Sequence, residues 1–207
     1  MHHKYGDFEM IHLKAYLEKR IMDIISDWNE PDIYAISFLV YANEANEYNG
    51  ISNVPHFYVG YNTERDCGGA DAFSEKRWNF AFWRQDLTPV IDATEEEESM
   101  QMLFDWYREK QIENIGYEDH TSCYDEKMRY IGKGPNGYYP LLMEVSAIAK
   151  DLQESGFIRE KFGTSIPIII QDFEYAWYIF EANRIANPHG EADVFFSAMK
   201  KMGCMGS

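Results

Sequence analysis

The sequence predicts a single α+β domain over residues 1–207, with a small, mainly antiparallel sheet of about three to five strands packed with about five helices. Segments with apolar residues every three or four positions, the helical pattern, are interleaved with short apolar runs rich in β-branched and aromatic residues, the strand pattern. Hydrophobic residues make up 45% of the chain and aromatic residues 16%, enough for a large core and too much for a disordered chain.

In its first third, the chain predicts one helix and an antiparallel pair of strands. Apolar residues recur at spacings of three and four between residues 10 and 28, which is the stripe of an amphipathic helix, and Pro31 ends it. The nearly continuous apolar run 32–42 predicts a buried strand, and 54–64 predicts a second strand. The polar stretch between them predicts a long loop.

The aromatic run "RWNFAFW", Arg77–Trp83, predicts a short helix or irregular segment packed onto the sheet. In an alternating strand Trp83 would break the pattern, whereas helical spacing pairs Trp78 with Phe82. We expect the run to anchor the core. The alternative is that Trp83, followed by Arg84, faces a partner protein.

The rest of the chain predicts mainly helices. Thr94 and Glu97 have the spacing of a capping box, so a helix should begin there. The segment 113–139 is poorly periodic and predicts a loop. The remaining predicted elements are a helix that begins at Pro140, a buried strand around 168–170, a helix from Phe173 to about Ala186 capped by Asp172, and a last helix over 191–202.

The charge balance excludes one class of partner and allows another. The chain carries 19 basic and 35 acidic residues, a formal net charge of −16, and its basic residues are not clustered. We therefore expect no nucleic-acid binding. The acidity fits either simple solubility or attraction of a basic protein partner. Three widely spaced cysteines, no apolar run of about 20 residues and no signal sequence predict a cytoplasmic protein that does not span a membrane.

No motif in the sequence predicts catalytic or metal chemistry. It has neither a Ser-nucleophile motif nor a Gly-rich phosphate loop. His120 and Cys123 have the spacing of two zinc ligands, but a structural zinc site needs four, and no second close pair exists. His189 and the acids at 191 and 193 fit a helix N-terminus better than a metal site. We therefore expect no cofactor and no metal.

Several polar and aromatic side chains are candidates for contact with a ligand or partner. In the second predicted strand, His56 and Tyr58 share one face and Tyr61 the other. One face should be core, and the other is either a ligand surface or, as we rather expect, a semi-exposed strand face. Glu174 and Glu181 lie seven residues apart, which places them on one side of a predicted helix. The full set of candidates is His56, Tyr58, Tyr61, Trp83, Arg84, Glu174 and Glu181.

A series of features also follows a definite order along the chain. An amphipathic helix and an apolar strand precede a strand ending in "YNTE" (61–64); then come Trp78 and Trp83, and finally "IPIIIQD" (166–172) before an aromatic helix. This order resembles that of uncharacterised bacterial domain-of-unknown-function families of acidic α+β proteins. Some such proteins are encoded beside polymorphic toxins and are thought to act as immunity proteins. The resemblance implies no catalytic residues.

Three functions are compatible with the sequence. We expect a non-enzymatic interaction protein, for which a basic protein such as a toxin would be the natural partner. The first alternative is a small-molecule-binding protein or enzyme with a cleft near the strand pair, using His56, Tyr58 and Glu174. The second is a structural domain with no dedicated ligand. A deep pocket that joins these three residues would favour the first alternative.

Overall fold

The computed structural model describes residues 12–42, 46–112, 126 and 137–205, and within them the chain forms eight α-helices and six β-strands. None of these helices is long and apolar enough to cross a membrane. The helices are α1 (Leu13–Asp27), α2 (Glu64–Cys67), α3 (Glu75–Trp78), α4 (Glu97–Glu109), α5 (Tyr138–Glu154), α6 (Phe157–Phe162), α7 (Trp177–Ala186) and α8 (Asp193–Lys201). The strands are β1 (Ile33–Tyr41), β2 (Glu47–Tyr48), β3 (Ile51–Ser52), β4 (His56–Thr63), β5 (Thr88–Ile91) and β6 (Ile168–Gln171).

Four of the strands form one sheet in the order β5–β4–β1–β6. β1 pairs antiparallel with β4, and β4 pairs antiparallel with β5. β6 lies parallel to β1, because the chain crosses over through the helices between them before it returns to the sheet. The predicted α+β class is confirmed, and the sheet is mixed rather than purely antiparallel.

Apolar side chains fill both faces of this sheet. Ile36 and Phe38 of β1 point to the face that α1, α4, α5 and α7 cover. Ala35 of β1 and Ile169 of β6 point the opposite way, where the segment 64–83 and α8 pack against them. We call this the second face of the sheet. The alternation of β1 and β6 between two cores follows from the two-residue period of a strand.

The helix predictions hold for the long helices and fail at some of their ends. α2 and α6 were not predicted because four and six residues are too few to show a periodic pattern. The predicted capping box does not form. α4 begins at Glu97, and the backbone N–H and the hydroxyl of Thr94 donate to Asp92 Oδ1 instead, at 2.7 and 2.8 Å.

The predicted loop after β1 contains a small hairpin. β2 and β3 pair on either side of Asn49 and Gly50, whose φ angles are 51° and 77°. Two consecutive residues with positive φ are what a two-residue hairpin turn requires, and Asn-Gly is the usual pair there. β5 is a further strand without a prediction, since it is four residues long and contains Pro89.

The largest departure from the predicted elements is the start of α7. The sequence predicts a helix from Phe173, but α7 begins at Trp177. Asp172 accepts a hydrogen bond from the N–H of Phe173 at 2.6 Å and does not cap the helix. Phe173, predicted to face inward, is 58% exposed. The segment 172–176 therefore lies outside the helix, and Glu174 does not share a helical face with Glu181.

Two buried asparagines, Asn183 of α7 and Asn187 at the C-terminal cap of the same helix, cover the free edge of β6. Asn183 accepts from the N–H of Ile170 at 2.9 Å and donates to its carbonyl at 2.7 Å. Asn187 makes the same pair of bonds to Ile168, at 3.0 and 2.8 Å. Helix side chains thus satisfy the backbone groups that would otherwise pair with another strand.

Candidate functional site

One end of the second face is left open and forms a cleft beside the C-terminal end of β1. The cleft has a volume of about 350 Å³, which is in the range of small-molecule sites. Four of its seven described lining residues are aromatic, so we call it the aromatic cleft. The lining residues are Leu39, Tyr41, Tyr58, Phe80, Gln85, Leu87 and Phe173.

The aromatic cleft is assembled from separate parts of the chain. The ring of Phe173 has its centroid 4.6 Å from that of Tyr41 and 6.4 Å from that of Phe80, so rings from three segments converge. Gly60 of β4 allows Leu87 to lie directly on the sheet, because a side chain at this position would collide with Leu87 Cδ2. The close approach of Leu87 therefore depends on a residue without a Cβ.

The aromatic run Arg77–Trp83 fixes one wall of the cleft. It forms the end of α3 and a 3₁₀ turn at Phe80–Phe82, which confirms the prediction of a short helix or irregular segment packed onto the sheet. The indole N–H of Trp78 donates to the Ala72 carbonyl at 2.7 Å, and that of Trp83 to the Arg77 carbonyl at 2.8 Å. Trp83 is only 4% exposed, so the alternative in which it faces a partner is excluded.

A buried polar cluster of Tyr58, Asp92 and His56 adjoins the aromatic cleft. The hydroxyl of Tyr58 donates to Asp92 Oδ2, and His56 Nδ1 lies 3.1 Å from the same oxygen. Asp92 Oδ1 accepts from the N–H and hydroxyl of Thr94 and from the N–H of Glu95, at 2.7 to 2.8 Å. The side chains of His56 and Asp92 are 7% and 5% exposed. This set of hydrogen bonds holds the carboxylate in a fixed position.

The electrostatics of the cluster keep one negative charge on Asp92. Burial alone would raise the pKa of Asp92, but hydrogen bonds from Tyr58, Glu95 and Thr94 outweigh it and lower this pKa to about 2. Burial, reinforced by the neighbouring Asp92, raises the pKa of Tyr58, so the phenol keeps its proton. Burial lowers the pKa of His56 despite the opposing effect of Asp92, which favours the neutral ring.

The neutral ring of His56 has a defined hydrogen position. A carboxylate oxygen can only accept, so Nδ1 carries the hydrogen that faces Asp92. Nε2 is then a buried acceptor, and it has no hydrogen-bond partner among the described residues. His56 and Tyr58 therefore both direct their hydrogens to Asp92, and neither has a free donor.

We expect Tyr58→Phe to lower the free energy of unfolding at pH 7 by about 1.5 kcal/mol, because a buried carboxylate loses a hydrogen bond. The loss should shrink as the pH falls toward 2, since the contribution of a carboxyl with a depressed pKa is present above its unfolded value and is lost on protonation. Urea unfolding at several pH values measures it. Tyr61→Phe, on the opposite face of β4, is the matched control and should change stability by less than about 0.5 kcal/mol. Equal losses for the two variants would contradict the role given to Asp92.

The structure places the other sequence candidates outside the aromatic cleft. Tyr61 lies on the face of the sheet opposite the second face. There the guanidinium of Arg84 stands 5.0 Å above its ring and donates to its hydroxyl at 3.3 Å. Glu181 accepts from the hydroxyl of Tyr139 at 2.9 Å. Glu174 is exposed beside Phe173 and lines a separate, narrow cavity of about 40 Å³. Of the three residues predicted to share a pocket, only Tyr58 is among the described lining residues of the cleft. His56 lies behind it in the polar cluster, and Glu174 belongs to neither the cleft nor the cluster.

Sequence reasoning missed Asp92 and most of the lining residues. Asp92 is one of 35 acidic residues, and its residue type alone does not distinguish it from the others. The available signal was its position: it directly follows an apolar stretch and precedes Thr94 by two residues, which is the pattern of an Asx turn. Phe173 was missed because the predicted helix placed it in the core.

Metal ligands do not come together in the part of the chain that the structure describes, where no group of three or more His, Cys, Asp or Glu side chains could hold an ion. His120 and Cys123 lie outside the described residues. The side chain of Glu191 accepts from the backbone N–H of His189 at 3.0 Å. These two residues therefore form part of the turn that precedes α8.

Comparisons with known proteins assign no identity to this chain. No protein-family model, no curated protein and no solved structure matches it. The resemblance to acidic bacterial families therefore stays a prediction, and a function must be argued from the aromatic cleft itself.

Proposed function

We propose that this protein binds a small organic molecule in the aromatic cleft. The observation that carries the proposal is the convergence of the Tyr41, Tyr58, Phe80 and Phe173 rings around about 350 Å³ of open volume. Aromatic side chains combine a large apolar area with few rotatable bonds, so they contribute strongly to ligand binding.

The state of the polar cluster favours binding over catalysis. A general base needs a free lone pair at the reacting atom. Both oxygens of Asp92 already accept hydrogen bonds, from Tyr58, His56, Thr94 and Glu95. The lone pair of His56 Nε2 is free, but it is buried and His56 is not among the described residues that line the cleft. The Tyr58 proton is directed to Asp92 and away from the cleft. The cluster therefore supports the orientation of the Tyr58 ring in the cleft.

A panel of aromatic fragments of both charges, screened by ligand-observed NMR, tests the proposal. We expect several fragments to bind saturably and to compete with one another. Phe173→Ala should weaken them about tenfold, because it removes an exposed ring from the cleft and leaves the fold intact.

The control for this experiment is Phe82→Ala. Phe82 is 52% exposed and lies in the same 3₁₀ turn as Phe80, but it is not a lining residue. Binding to the Phe82 variant should match that of the parent protein. Fragments that fail to saturate, or that bind equally to the Phe173 and Phe82 variants, would overturn the proposal.

The alternative role, interaction with a basic protein partner such as a toxin, stays a prediction. Its support is the net charge of −16. The residue proposed as its anchor, Trp83, is part of the core. The aromatic cleft gives the small-molecule function the more specific support.

A further inference from the structure

We infer that the ligand of the aromatic cleft is a small organic cation with apolar substituents, such as an alkylated ammonium. This inference rests on the proposed function and names the class of ligand for the same site. It follows from three properties of the cleft: its rings, the hydrogen-bonding character of its polar atoms, and the charge next to it.

The rings offer negative π faces, and the described lining residues supply no positive charge. Tyr41, Tyr58, Phe80 and Phe173 are all within one small volume. Such an arrangement attracts a cation, most strongly when the cation is weakly hydrated. Arg84 is close in sequence to the lining residue Gln85, but its guanidinium lies over Tyr61 on the other face of the sheet.

Two polar side chains of the cleft, Gln85 and Tyr58, have their donor hydrogens engaged elsewhere. The amide nitrogen of Gln85 donates to the carbonyls of Phe80 and Trp83, at 3.0 and 2.9 Å, which leaves Oε1 as its free atom. Tyr58 gives its proton to Asp92. The ring of Tyr41 stacks on that of Tyr58, with centroids 5.8 Å apart, so these two rings present parallel π faces to the cleft. An anionic ligand would find no free donor on Gln85 or Tyr58, whereas a cation would meet the Gln85 Oε1 oxygen and the rings.

The charge next to the cleft is negative and lacks a countercharge. Asp92 is 3% exposed, and the described part of the chain places no Lys or Arg within 4.0 Å of it. Its partners are a phenol, a neutral imidazole, a hydroxyl and backbone N–H groups. Hydrogen bonds keep Asp92 charged, and its negative charge would attract a cation bound in the cleft from across the Tyr58 ring.

Three probes of one shape and different charge test the inference. They are choline, its uncharged isostere with a quaternary carbon in place of nitrogen, and tert-butylacetate as the anion. Titration calorimetry, with ligand-observed NMR for weak binding, gives each dissociation constant. We expect choline to bind about tenfold more tightly than the isostere, and tert-butylacetate to bind the least. An isostere or anion that binds as tightly as choline would overturn the inference.

Phe173→Leu separates the effect of the ring from the effect of bulk. Leucine keeps an apolar side chain at this exposed position but has no π face. We expect choline to lose about fivefold in affinity and the isostere to change less than about twofold, with Phe82→Leu as the unchanged control. If aromatic fragments bind while choline does not, the ligand class is wrong and the proposed function stands. If neither binds, both are wrong.

Discussion

Asn183→Leu is expected to lower the free energy of unfolding by about 4 kcal/mol, although leucine is close to asparagine in size and is more apolar. Asn183 is fully buried and serves both the N–H and the carbonyl of Ile170. The substitution leaves these two backbone groups without partners in the core, and each orphaned group costs about 1 to 3 kcal/mol. Urea unfolding followed by circular dichroism measures the loss.

The control for Asn183→Leu is Arg184→Gln, one position along α7. Arg184 is exposed, so this change should cost less than about 0.5 kcal/mol. Hydrogen exchange gives a local readout, because the amide of Ile170 should lose protection in the leucine variant more than the other amides of β6. A loss below about 1 kcal/mol with Ile170 still protected would show that the edge of β6 does not depend on this side chain.

The asparagine pair also illustrates what the sequence can predict about this fold. The strand pattern of "SIPIII" correctly predicts β6, because a run of β-branched residues is a local signal. That β6 forms the edge of the sheet depends on strand order, which no local pattern encodes. Without that knowledge, Asn183 looks like an unfavourable residue inside a helix and Asn187 only like the residue that ends it, whereas both complete the sheet.

For the candidate site, the sequence correctly predicts only which side chains of β4 share a face of the sheet. The alternation in β4 correctly places His56 and Tyr58 on one face and Tyr61 on the other. Other lining side chains come from β1, the 3₁₀ turn and the segment 172–176. Tertiary packing of the chain after β4 brings these side chains together, and no local sequence pattern predicts it. Helical periodicity around Phe173 was misleading because Asp172 turns toward Tyr138 and the helix begins later.

The carboxyl of Asp172 has an unusual environment that leads to a second large effect. Tyr138 has a single hydroxyl hydrogen, yet its oxygen lies 2.8 Å from the Val40 carbonyl and 2.7 Å from Asp172 Oδ2. The carbonyl can only accept, so both bonds form together when Asp172 is protonated and donates to Tyr138. Burial raises the pKa of Asp172 to about 6, against the lowering effect of its bonds to Tyr138 and the Phe173 N–H.

We therefore expect Asp172→Asn to stabilise the protein at pH 8 and to have little effect at pH 4. A carboxyl whose pKa is higher in the folded state contributes stability below its unfolded value near 4, and this contribution is lost as the pH rises through about 6. Asparagine reproduces the protonated form at every pH, because its amide can donate to Tyr138 and accept from the Phe173 N–H. The gain at pH 8 should be about 2 kcal/mol.

Urea unfolding at pH 4 and pH 8 measures the difference in unfolding free energy between the parent protein and the Asp172→Asn variant. The titration of all other groups affects both proteins equally and cancels in this difference. Glu174→Gln, an exposed neighbouring acid, is the control and should show no such dependence on pH. Because the bond to the Phe173 N–H is kept, the variant should also bind ligands in the aromatic cleft as the parent does. A destabilised variant at pH 8, or an equal difference at both pH values, would show that Asp172 is held as a carboxylate, with the Tyr138 hydrogen directed to it and away from Val40.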